Sequence, residues 1–108
     1  MRFRLSIGAA IGLAALFSCT SQKKPASLAE KGRSVYLVNC ISCHNPDPTK
    51  DGPLGPAVAG SSLELLSARV MRAEYPPGYK PKRSSHVMAP LPHLKDQLEA
   101  LHAFLAAP

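Results

Sequence analysis

Two cysteines three positions apart with a histidine directly after the second, CISCH at positions 40–44, constrain this chain more than any other feature. Three cysteines and four histidines are spread over 108 residues, so their gathering here calls for a chemical reason. On a helical turn, residues i and i+3 present their side chains to one side. Cys40 and Cys43 can therefore act together, with His44 beside them. Such a pair has different uses in reducing and oxidising surroundings, so the compartment must be read first.

The N-terminus addresses that point. Arg2 and Arg4 precede a thirteen-residue apolar run, LSIGAAIGLAALF, at positions 5–17. A spanning helix needs about 20 such residues, whereas the hydrophobic region of an export signal is shorter. The run ends in LFSC at positions 16–19, which resembles the cleavage site of a bacterial lipoprotein signal. That resemblance implies a signal peptide over residues 1–18 and lipidation of Cys19. It also implies an exported domain held on the periplasmic side of a bacterial membrane, since two or more acyl chains anchor stably. An ordinary signal peptide cut near Ser18, with Cys19 a spare thiol, is the alternative. The polar stretch that follows Cys19 would keep the domain near its membrane, because eight flexible residues reach about 16 Å. Residues 19–27 are accordingly expected to be the lipidated N-terminus and linker, and residues 28–108 the folded domain.

That domain is small and holds no tryptophan, so its own side chains supply little core. An interior built around a bulky apolar group would be more secure. The net charge of +6 falls by two once Arg2 and Arg4 leave with the signal. No Lys/Arg stripe alternates with aromatic residues, and nucleic acid is excluded as a partner.

Three helices are expected and no strands. SLAEKGRSVYLVN opens with Ser27 and has Glu30 three residues later, a capping box. Ala29, Gly32 and Tyr36 share one face. Gly32 costs a helix about 1 kcal/mol against alanine, which is accounted for if another backbone passes close by. SSLELLSARVM repeats the pattern with Ser61 and Glu64, and Met71 reads as core filler. HLKDQLEALHAFLAA puts Leu94, Leu98, Leu101 and Leu105 on one stripe, with Phe104 adjoining it. Pro/Gly-rich connections occupy residues 45–60 and 75–92.

C-x-x-C-H is the sequence mark of covalent haem attachment: two sulfurs form thioethers with the haem vinyl groups, and the histidine reaches the iron. Two rivals share the cysteine pair. A thiol-disulfide oxidoreductase carries it at the start of a helix after a strand, whereas the sequence before Cys40 is helical. A zinc site would have to recruit His86 and His93 without a second paired motif.

With these features together, residues 29–105 resemble the small class I c-type cytochromes. The residues that carry the resemblance are Gly32 and Tyr36, CISCH, GPLGPAVAG at 52–60, VMAPLPHL at 87–94, and the terminal leucine-rich helix. The chain departs from the family pattern at Lys95, where a capping Ser or Thr is usual, and in the long basic loop EYPPGYKPKRSSH. The resemblance implies an all-α cytochrome c fold of three to four short helices around one covalent haem c. In that fold the first and last helices meet at Gly32 and Tyr36 packs on the far helix.

The resemblance further implies that Cys40 and Cys43 bind the haem, that His44 and Met88 are its axial ligands, and that a proline carbonyl orients His44. Pro56 is the best match for that carbonyl and Pro53 the fallback. His86 is the alternative to Met88. Tyr75, Tyr79, Lys80, Lys82 and Arg83 either meet the haem carboxylates or an acidic partner, or form a solvated loop. His93 and His102 are given no role. The implied function is one-electron transfer between redox proteins without substrate chemistry, so the chain is not expected to be an enzyme. An open distal site for gas binding or peroxidase-like chemistry is the alternative.

Overall fold

A computed structural model of the chain describes Gly12, Ala15 and residues 24–108. Cys19 and, apart from Gly12 and Ala15, the apolar run at 5–17 lie outside the described residues. Among the described residues the elements are α1 (Leu28–Asn39), α2 (Leu63–Arg72), a 3-10 segment (Pro92–Gln97) and α3 (Leu98–Ala106), and none is a strand. The fold is all-α. No helix among these residues is long and apolar enough to cross a membrane.

Helix α1 begins where its local chemistry dictates. The Ser27 hydroxyl accepts from the Glu30 amide at 3.1 Å, and the Glu30 carboxylate accepts from the Ser27 amide at 2.7 Å. Two amides that the first turn would otherwise leave without partners are thus satisfied reciprocally.

The start of α2 differs from expectation by one residue. Ser62, not Ser61, is the cap, and its hydroxyl accepts from Leu65 N at 3.1 Å. Glu64 is then one residue short of the position that reaches back to the cap amide. Ser61 is drawn off by the preceding loop, donating to the Val58 carbonyl at 2.6 Å. At the other end Ala73 adopts the left-handed conformation, with φ 55°. Its amide donates to the Arg69 carbonyl and the Glu74 amide to the Ala68 carbonyl, both at 3.0 Å, which closes the helix.

The last predicted helix is split. Residues 92–97 form a 3-10 segment, and α-helical geometry starts only at Leu98. Neither Leu91 nor Gln97 makes a side-chain cap hydrogen bond. Lys95, standing where a Ser or Thr would cap the helix, has no oxygen to offer the free amides. The leucine stripe is buried all the same, with Leu94, Leu98, Leu101 and Leu105 all in the core.

Helices α1 and α3 pack backbone against backbone. A Cβ on Gly32 would lie 1.8 Å from the Ala100 carbonyl oxygen and 2.9 Å from the Phe104 Cβ, so the position is closed to any side chain. One turn on, Tyr36 is 1% exposed and its ring centroid lies 5.5 Å from that of Phe104. Leu66 and Val70 from α2 complete the core, and Met71 packs at its margin. The remaining connections wrap one cavity at the end of α1.

Candidate functional site

Cys40 is the residue that ends α1, its amide still bonded to the Tyr36 carbonyl at 2.9 Å. A tight turn follows, in which the amides of Cys43 and His44 both donate to the Cys40 carbonyl, at 3.3 and 2.9 Å. Cys40 and Cys43 are free thiols, half-buried, and both line a cavity of about 340 Å³. His44 and Met88 line the same cavity. Most of the remaining wall is apolar, including Val58, Leu65, Leu66, Val70, Leu91 and Leu105.

The segment that follows the cysteine turn folds back onto it. The amides of Leu54 and Gly55 donate to the Cys43 carbonyl at 3.1 and 2.9 Å, and the Gly52 amide donates to the Gly55 carbonyl at 2.8 Å. Asp51 braces this loop, its Oδ1 accepting from the Ala57 amide at 2.8 Å. The loop brings the Pro56 carbonyl oxygen to 2.9 Å from His44 Nδ1. A carbonyl can only accept, so Nδ1 carries the proton and, in the neutral ring, Nε2 is left with its lone pair. Pro53 lies instead at a shallow outer groove with Leu54, Lys82, Arg83 and Val87.

Tyr36 joins the core to this turn. Its hydroxyl donates to the carbonyl of Asn45, the residue after His44. Burial, first, and then the negative charges of Cys40 and Asp47 push the phenol up to about 12. Asp47 itself is held below the usual carboxylate range by the Thr49 hydroxyl and amide.

The basic loop at 75–86 is tied down across the cavity. The Tyr75 and Tyr79 rings stack at 5.4 Å with an 8° interplanar angle, and the Arg69 guanidinium lies 4.1 Å above the Tyr75 ring. Lys82 donates to the Ala57 carbonyl at 2.8 Å, and Arg83 pairs with Asp51 at 3.7 Å. Arg69, Tyr75, Tyr79, Lys82 and Arg83 all line the cavity, whereas Lys80 is exposed and does not. Arg69 was legible in the sequence only as part of a helical pattern, and nothing there signalled its place over Tyr75.

These features decide between chemistries. A nucleophilic thiol needs a lowered pKa, commonly at a helix N-terminus. Cys40 sits at the opposite, negative end of α1, and burial pushes its thiol up to about 11. Thiol-disulfide exchange is therefore a poor fit, whereas a neutral thioether loses nothing by burial. Among the described residues no three of His, Cys, Asp and Glu gather around a possible metal ion. His86 and His93 are exposed and neither lines the cavity, so the four-ligand zinc arrangement is not formed.

The cytochrome c family model matches residues 29–107. The chain belongs to the cytochrome c family. As a cytochrome c it binds haem c covalently, one group in a domain of this size, and is a haem-based electron carrier. No curated protein and no solved structure matched the chain. The residues fit the group: two sulfurs at helical spacing, an imidazole with a defined tautomer and a thioether all border one apolar cavity, and Arg69, Lys82 and Arg83 border it too, a match for a group bearing two carboxylates.

The raised Tyr36 pKa gives a signed pH dependence. Burial, which acts whether Cys40 is a thiol or a thioether, favours the neutral phenol in the folded state. Its stabilisation is therefore complete below pH 10 and is lost as pH rises from 10 into the more alkaline range. The unfolding free energy of the cytochrome should fall more steeply over that window than that of Tyr36→Phe, measured by denaturant titration at a series of pH values. At neutral pH the variant should be less stable by about 1 kcal/mol for its lost hydrogen bond. Parallel alkaline profiles would contradict the assignment.

Proposed function

We propose that this cytochrome is a one-electron carrier in which Cys40 and Cys43 would attach haem c, and His44 Nε2 and Met88 Sδ would hold its iron. The observation that carries the reading is the His44 Nδ1 to Pro56 carbonyl contact of 2.9 Å beside the cysteine turn, in a cavity that Met88 also lines. Haem c supplies a one-electron Fe(III)/Fe(II) couple.

The chain's own residues do the rest. The two sulfurs tether the group in a domain too small to enclose it by packing alone. Pro56, by accepting from Nδ1, holds the imidazole in one tautomer and makes Nε2 a better donor. Met88 offers a soft sulfur that favours the reduced state relative to a second nitrogen. Ala89, Pro90, Leu91 and Pro92 follow it as a stiff segment, and the Leu91 amide donates to the Val70 carbonyl at 2.6 Å, tying that segment to α2. The largely apolar lining would suit the porphyrin, and with His44 and Met88 both holding the iron no coordination site would be left for a substrate. The protein is on this reading not an enzyme.

We further propose that the carrier is exported by the signal at 1–18, lipidated at Cys19 and held on the periplasmic side of a bacterial membrane. There it would exchange electrons with redox proteins of that membrane or of the periplasm. The apolar run and the LFSC sequence support this part of the reading. Lys80, Lys82 and Arg83 would favour partners with acidic surfaces, through brief, salt-sensitive encounters.

Two measurements test the proposal. Ferrous protein should not bind carbon monoxide rapidly at neutral pH, and Met88→Ala should bind it stoichiometrically, as followed in the absorption spectrum. Rapid stoichiometric binding by the unaltered protein would instead identify an open distal site. In cells fed labelled fatty acid, the unaltered protein should take up label and Cys19→Ala should not. Equal labelling of the two would refute the anchor.

A further inference from the structure

The wall of the site behind His44 is a glycine held from both sides. An ideal Cβ on Gly55 would lie 2.5 Å from Cε1 of the His44 ring, 2.6 Å from Nδ1 and 2.9 Å from Nε2. The three distances together place that Cβ above the face of the imidazole, over its Nδ1–Cε1 bond and to one side of the Cβ–Cγ axis. Gly55 is buried, and no left-handed backbone conformation requires a glycine there, since among the described residues the positive-φ glycines are Gly60 and Gly78. What demands the missing side chain is the ring.

Nor can the backbone retreat. The Gly55 amide donates to the Cys43 carbonyl at 2.9 Å and its carbonyl accepts from the Gly52 amide at 2.8 Å. The next residue is Pro56, whose φ is restricted and whose own carbonyl is engaged by Nδ1. Both of the polar backbone groups of Gly55 are therefore occupied, and so is the carbonyl that follows. A methyl group at this position would displace the imidazole, not the loop.

We infer that Gly55 is a positioning residue that sets the rotation of the His44 imidazole about its Cβ–Cγ bond, and through it the hydrogen bond to Pro56 and the donor strength of Nε2. The inference rests on the reading of His44 as an axial ligand. Gly52 serves as the internal contrast. The three atoms nearest a Cβ there are all backbone, with the Cys43 oxygen at 2.5 Å, the Asn45 nitrogen at 2.6 Å and the His44 carbonyl carbon at 2.6 Å. Crowding at Gly52 stresses the turn, whereas crowding at Gly55 turns the ring.

The consequence is electronic. An imidazole whose Nδ1–H is bonded to a carbonyl is the more basic ligand and stabilises Fe(III). Rotating the ring off Pro56 weakens that bond, leaves a poorer donor, and raises the reduction potential.

The test uses the ferric holoprotein with its histidine rings isotopically labelled. In the unaltered protein the His44 ring protons should show paramagnetic shifts, with the Nδ1–H exchanging slowly and the haem-methyl resonances ordered as for one fixed ring orientation. In Gly55→Ala the methyl order should change, the Nδ1–H should exchange roughly tenfold faster or more, and the potential should rise. Gly52→Ala should lose stability with the methyl order unchanged. Unchanged methyl shifts and exchange in Gly55→Ala would overturn the inference while leaving His44 as ligand. If Gly55→Ala yields no holoprotein, the unaltered protein decides: one fixed orientation and slow exchange uphold the inference, and an imidazole sampling several orientations overturns it. Absence of paramagnetic shifts on the His44 ring would instead show that His44 is not the ligand.

Discussion

The contact of Gly32 with the Ala100 carbonyl sets the geometry on which the rest of the domain depends. It brings α1 and α3 closer than side chains would allow, and the Tyr36–Phe104 packing one turn later fixes their register. Because Tyr36 is locked there, the end of α1 is locked too, and Cys40 emerges at a defined place on the cavity wall. The Tyr36 hydroxyl extends this constraint to Asn45, just past His44. Helix packing at one end of α1 thus places the turn that carries Cys40, Cys43 and His44 at the other. Glycine costs a free helix about 1 kcal/mol, and the whole α1–α3 interface is gained in return.

A second layer of constraint is polar and lies in the loops. The segment at 52–57 has no regular structure, yet its amides, the Asp51 carboxylate and the Lys82 ammonium leave it little freedom. Pro56 and Gly55 act on His44 from this loop, one by accepting a hydrogen bond from Nδ1 and the other by having no side chain. Arg83 and Lys82 join the same loop to residues 75–86, so the wall behind the histidine and the strap carrying Tyr75 and Tyr79 are mechanically continuous. The exposed ion pair contributes little energy by itself. Its effect is to limit the arrangements of two loops around one cavity.

Features with a local cause could be read from the chain. The Ser27–Glu30 cap acts over three residues, the leucine stripe repeats with the helix, and the helical spacing of Cys40 and Cys43 needs no tertiary knowledge. Gly32 was readable as a close-approach position because nothing in its own helix explained it. The misplaced features have tertiary causes. Ser61 and Ser62 are equivalent caps until Val58 engages the first, and the 3-10 start of the last helix follows from packing Leu94 without a capping side chain. Gly55 was visible only as one glycine in a loop, since its meaning is a contact with a ring eleven residues earlier. The stack of Arg69, Tyr75 and Tyr79 likewise joins a helix to a loop that sequence alone left between cavity wall and solvated surface.

On the reading proposed above, all of this geometry serves one covalent group joined to Cys40 and Cys43. The most direct test is the intact mass and the visible spectrum of the mature protein purified under denaturing conditions. The account predicts a coloured polypeptide heavier by one haem, with the added mass confined to the peptide that contains CISCH. Both the colour and the added mass should vanish in the double variant Cys40→Ala/Cys43→Ala. A colourless protein of polypeptide mass, or a haem that separates on denaturation, would contradict it.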